Sequence, residues 1–94
     1  MLGLYAAVTR QDKDGKPPGG WLPGERLTLE EALRLFTVEP AYASFTETLR
    51  GKVAPGYVAD LTVFDRDLVP DRGLLDTKID LTVVGGAIVY DRRP

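Results

Sequence analysis

Two runs of alternating apolar residues, Ile79 to Val84 and Ala87 to Tyr90, are separated only by Gly85-Gly86, and this two-residue connection leaves the chain little choice of fold. A tight primed turn needs positive φ at its central residues, which glycine adopts without steric cost, so the pair predicts a β-hairpin. In that register Val83 is expected opposite Ile88 and Leu81 opposite Tyr90, stacking Ile79, Leu81, Val83, Ile88 and Tyr90 on one face. Such a face demands cover. Upstream, Ala59 to Asp65 alternates similarly, with Leu61 and Val63 on one side and Asp60, Thr62 and Phe64 on the other. Pro55-Gly56 suits a type II turn, and Val53 a short strand ending there. The words Asp-Leu-Thr-Val at 60–63 and again at 80–83 are too short to mark a repeat; they have the pattern of two half-buried antiparallel strands.

The first half has a different period. Thr28 can cap a helix whose third residue, Glu31, completes a capping box, and Leu29, Ala32, Leu33 and Phe36 then form one apolar stripe. Glu30 and Arg34 are spaced for an exposed ion pair on that helix. Pro40 suits the first turn of a second short helix through Phe45. Leu4, Ala7 and Val8 give residues 2–10 one apolar side, consistent with a short helix or turn. Between these elements QDKDGKPPGGWLPGER, residues 11–26, is rich in glycine and proline and predicts a long surface loop, while LVPDRGLLDTK, residues 68–78, reads as a linker. The change of period near Thr46 divides the chain into a helical segment with its Pro/Gly-rich loop, 1–46, and a strand segment, 47–94. The expected class is α+β, with short N-terminal helices followed by a small antiparallel β-sheet.

Composition narrows the function. A chain of 94 residues, 44% hydrophobic and 28% charged, can fold but buries only roughly 60–65% of its unfolded surface, too little to enclose a large active site. A net charge of −2, with Lys and Arg scattered, argues against nucleic acid as a partner. The opening MLGLYAAVTRQ lacks a basic leader and no stretch suits a bilayer span, so no membrane is expected and the expected compartment is the cytoplasm. There is no cysteine, hence no disulfide or thiolate chemistry, and no histidine, which removes the commonest general base and transition-metal ligand together.

Against that background each candidate constellation is weak. Asp12-Lys-Asp14-Gly15 begins like a calcium loop, but its twelfth position holds Pro23, or Trp21 if Gly15 is aligned with the loop glycine, where a bidentate glutamate is needed. Asp65, Asp67, Asp71 and Asp76 are interleaved with Arg66 and Arg72, the pattern of a solvated linker. Ser44, Thr46 and Thr48 have no histidine to activate them. The indole of Trp21, beside Gly19-Gly20, suits either a small-molecule contact or the edge of a core. Residue chemistry alone discloses no reaction.

The order of the motifs adds more. RLTLEEALRLFTVEPAYASF, then LRGKVAPGYVADLTVFDRD, then LTVVGGAIVY resembles the C-terminal end of a metal-dependent amidohydrolase, in particular the subgroup of N-substituted formamide deformylases, also called exoenzyme regulatory proteins. MLGLYAAVTRQ resembles the segment after the last barrel strand. The resemblance implies a TIM-type barrel carrying one or two metal ions, zinc or another divalent metal, and a β-sandwich built from both chain termini. Residues 28–45 would be late barrel helix and residues 51–90 sandwich strands. Its histidine ligands would lie upstream and its final-strand aspartate shortly before Met1, so the resemblance assigns no catalytic residue, no metal ligand and no cofactor to these residues. It puts residues 1–27 on the catalytic face, where Tyr5, Arg10 and Trp21 would line a substrate pocket in the complete enzyme, and it makes Asp60 structural.

Two functions follow as expectations. The first is a C-terminal fragment of an amidohydrolase acting on non-peptide C–N bonds, inactive alone, whose partner is a complementary N-terminal chain. The alternative is a stand-alone interaction domain without catalysis, a homodimer that covers its own apolar faces. A hydrolase using only carboxylates ranks below both.

Overall fold

The computed structural model describes residues 1–93 and has the α+β class expected. Its chain forms two compact units, Met1–Leu33 with Asp67–Thr77, and Arg34–Arg66 with the C-terminal segment from Lys78.

The first unit is helical. Helix α1 spans Leu2–Thr9, and Leu4, Tyr5 and Val8 are its buried side, with Ala7 only partly covered. A long loop containing a single 3-10 turn at Pro23–Glu25 leads to α2, Leu29–Phe36. The capping box forms as the sequence predicts: Glu31 N–H donates to Thr28 Oγ1 at 3.1 Å, and Thr28 N–H donates to Glu31 Oε1 at 2.9 Å. The Thr28 backbone N–H first, and then the Thr28 side chain, hold the Glu31 carboxyl below its ordinary pKa.

The core gathers Leu4, Tyr5, Val8, Ala32 and Leu74. Leu74 corrects the linker reading, because residues Gly73–Asp76 form a short helix and Leu74 is fully buried. The turn is started by Asp71 Oδ1 accepting from Gly73 N–H at 2.7 Å, and ended by Thr77 Oγ1 donating to the Gly73 carbonyl at 3.0 Å. The apolar stripe of α2 is also shorter than predicted. Leu29, Ala32 and Leu33 meet this core, whereas Phe36, one turn on, belongs to the other unit and is 59% exposed.

In the second unit α3 spans Val38–Ala43, with Pro40 in its first turn and Ala41 buried. Arg34 reaches forward to Glu39 Oε1 at 3.5 Å on α3 instead of back to Glu30. Val53 forms no strand and is 86% exposed. The Pro55-Gly56 turn is as predicted: Tyr57 N–H donates to the Ala54 carbonyl at 3.1 Å and Gly56 has φ 88°.

Strands β1 (Leu61–Phe64), β2 (Ile79–Val84) and β3 (Ala87–Asp91) make an antiparallel sheet in that order. Gly85 and Gly86 have φ 58° and 85°, the primed turn expected. Val83 faces Ile88 as predicted, but the next pairs are Thr82 with Tyr90 and Leu81 with Asp91. Val89 is therefore an extra residue, a β-bulge that moves Tyr90 off Leu81. A second irregularity brings Phe64 opposite Ile79, one residue short of a regular ladder.

Two aspartates fix the ends of this sheet. Asp60 Oδ1 accepts from Gly85 N–H at 2.8 Å and Oδ2 pairs with Arg50, while Gly86 N–H donates to the Ala59 carbonyl at 2.9 Å. At the other end Asp65 Oδ1 accepts from Lys78 N–H at 3.0 Å, and Asp65 also meets Arg66. The Arg66 hydrogen bond first, then the Lys78 amide, lowers the Asp65 carboxyl from 3.8 to about 2.

Two outcomes are expected from this packing. Leu74→Ala lowers unfolding free energy by about 2–5 kcal/mol in denaturant titration, because it empties a fully enclosed site. Asp65→Asn weakens the fold at neutral pH. Since the folded pKa lies below the unfolded one, that deficit shrinks as pH falls from about 4 towards 2, and thermal melts across this range should show the two proteins converging.

Candidate functional site

The three side chains assigned to a substrate pocket all lie in the first unit, around the C-terminus of α1. Tyr5 is wholly enclosed in the core, and its hydroxyl donates to Gln11 Oε1 at 3.4 Å. Arg10 and Trp21 are in direct contact. The Arg10 guanidinium carbon stands 4.8 Å from the indole centroid, and Arg10 Nε donates to the Trp21 carbonyl at 3.0 Å. Trp21 N–H returns a bond to the Arg10 carbonyl at 2.8 Å.

Local backbone constraints bring this pair together. Arg10 ends α1 in the left-handed region at φ 58°, still bonded through its N–H to the Ala6 carbonyl, and Leu22 adopts φ 48° on the other side of Trp21. Left-handed backbone at two non-glycine residues costs energy and persists only where surrounding bonds hold it. Those bonds are present. Thr9 Oγ1 donates to the Tyr5 carbonyl at 2.7 Å and accepts from Gln11 N–H at 3.2 Å, and Gln11 Nε2 donates to the Pro17 carbonyl at 3.1 Å. Gly20 has φ 90°, and a Cβ there would run into the Thr9 carbonyl oxygen. Gln11, which no motif singled out, thus links the core tyrosine to the loop; a lone amide next to a helix end gives no signal in the sequence.

Several of the remaining candidates hold backbone in place. Asp12 Oδ1 accepts from Asp14 N–H at 2.9 Å and Lys16 N–H at 3.0 Å; those backbone bonds, Lys16 first, lower its pKa and make the loop start a polar turn. Ser44 Oγ and Thr46 Oγ1 lie 2.9 Å apart and both donate to the Ala41 carbonyl at the end of α3. Asp60 holds Arg50 and the hairpin amide, a structural role.

Comparison with known proteins identifies the scaffold. A profile of the Amidohydrolase family matches residues 1–90. The chain belongs to the amidohydrolase family. Among its family relatives, it is 34% identical to amidohydrolase YtcJ of Bacillus subtilis (strain 168) over 94 residues, which is 98% of this chain and 18% of that protein. It is 35% identical over 91 residues to the N-substituted formamide deformylase of Arthrobacter pascens, covering 95% of this chain and 16% of that enzyme. The crystal structure of an amidohydrolase from Thermotoga maritima MSB8 superposes on 70% of this chain and 16% of its own, with TM-score 0.61 and 26% identity. The chain therefore spans less than a fifth of the length of these family members.

Amidohydrolases are generally metal-dependent, which asks for a set of donor side chains. Among the described residues no group of three or more His, Cys, Asp or Glu side chains is placed to hold a metal ion, and the sequence supplies no imidazole or thiolate. The residues present do not fit such a centre. Nor is any helix among them long and apolar enough to cross a membrane.

Gly20→Ala tests the constraint on the Arg10–Trp21 contact. It is expected to lower stability by about 1–3 kcal/mol, and to alter the emission of the single tryptophan in the folded state, measured together by denaturant titration.

Proposed function

We propose that this chain is the closing, C-terminal part of a metal-dependent amidohydrolase that hydrolyses a non-peptide C–N bond when complete, and that it is inactive alone. The observation that carries this reading is the mismatch of coverage: nearly the whole chain aligns with family enzymes, yet it accounts for only 16–18% of each. A hydrolytic centre needs several ligands in fixed geometry. On this reading they come from the rest of the enzyme, together with zinc or another divalent ion. Residues 1–46 would then close the barrel, with Tyr5, Arg10 and Trp21 on its substrate side, and residues 47–94 would add strands to the accompanying sandwich.

The exposed hairpin supports the need for a covering partner. Every residue of β3 is exposed, including Ile88, Val89 and Tyr90. The same surface suits the second reading, a homodimeric interaction domain without catalysis, which would cover that face with a second copy.

Mixing the chain with the complementary N-terminal portion of a family enzyme separates the two. Chelator-sensitive hydrolysis of an N-substituted formamide should appear only in the mixture. Hydrolysis by the chain alone in the presence of chelator overturns the proposal, and a dimer in sedimentation that refuses the complementary portion favours the second reading.

A further inference from the structure

We infer that Arg10 and Trp21 together receive a carboxylate group carried by the ligand. The inference rests on the placement of these two residues proposed above and adds the chemical class of what they meet. Arg10 is held before any ligand arrives: its Nε is committed to the Trp21 carbonyl, its guanidinium lies over the indole, and its backbone carbonyl accepts from Trp21 N–H. With Nε used, the outward edge carries the two Nη groups. Neither bonds to any described residue, and no carboxylate among the described residues forms an ion pair with Arg10. Arg34, Arg50, Arg66, Arg92 and Arg93 each have an acidic partner, whereas Arg10, like Arg26 and Arg72, bonds through its guanidinium only to a backbone carbonyl; of these three, Arg10 is the one that also lies over an aromatic ring.

A guanidinium edge with two parallel N–H donors matches the two oxygens of a carboxylate, and a planar fork already immobilised loses little entropy on binding. The indole beside it is 61% exposed and offers an apolar surface for the carbon skeleton next to that carboxylate. The ligand class is therefore a small organic acid, and for the complete enzyme an amide substrate that carries a carboxylate.

Trp21 is the only tryptophan, so its fluorescence reports on this position directly. The intact chain is titrated with cyclohexanecarboxylate, and in parallel with cyclohexylamine at matched ionic strength. A saturating change is expected with the acid alone, half-complete on the order of 1–10 mM. Arg10→Lys keeps the charge but removes the fork, and should weaken binding about fivefold or more. A change that never saturates, an equal response to the amine, or unaltered affinity in Arg10→Lys overturns the inference. Should that variant fold poorly by circular dichroism, the acid and amine titrations of the unaltered chain decide alone. Failure here leaves restored hydrolysis by the complementary portion standing, and failure of complementation leaves the titration unaffected.

Discussion

The carboxylate of Asp60 ties together three stretches of the second unit. One oxygen holds the amide of Gly85 at the tip of the β2–β3 hairpin, and the other holds Arg50 from the segment that precedes β1. Each bond contributes only about 1 kcal/mol net, but their positions matter more than their strength. With the hairpin tip tied to the start of β1, and Asp65 tied to Lys78 at its end, the two strands must run between fixed points. They do not contain equal numbers of residues. The pairing passes from Val63 with Leu81 directly to Phe64 with Ile79, so the surplus is absorbed as an irregularity inside the ladder.

That arrangement explains which parts of the fold could be read from the chain. The hairpin turn, the type II turn and the Thr28–Glu31 capping box were legible because each depends on backbone rules acting over four residues or fewer. The displaced Tyr90 was not, since the bulge at Val89 answers to pairing between strands and leaves no mark in the alternation itself. Leu74 was hidden for another reason. It stands among Asp71, Arg72 and Asp76, and four helical residues show no period, so the core position emerges only when α1 is seen beside it. Val53 failed as a strand because one β-branched residue before a Pro-Gly turn has no partner to pair with.

The candidate site divides in the same way. Only the family resemblance points to Arg10 and Trp21, and the sequence separation of these residues gives no hint of their contact, which depends on left-handed backbone at Arg10 and close approach at Gly20. Gln11 was invisible for want of any motif, although it bonds to both the core tyrosine and the loop. Tyr5 is a different case. Its ring is enclosed, so its proposed place beside a substrate would have to be exercised through the hydroxyl that Gln11 engages or by positioning the Arg10 turn above it.

The division of labour between the units bears on what a family member needs from this segment. Four aspartates here hold backbone: Asp12 a loop start, Asp71 a helix start, Asp60 and Asp65 the two ends of a sheet. For Asp12, with two backbone amides, and Asp65, with Arg66 and the Lys78 amide, these bonds stabilise the charge and lower the basicity, which makes them poor candidates for reactive chemistry. Arg10 serves differently, since its guanidinium is fixed by the Trp21 carbonyl and indole and has no carboxylate partner among the described residues. An immobilised guanidinium beside an exposed indole is a group suited to orienting an anionic ligand.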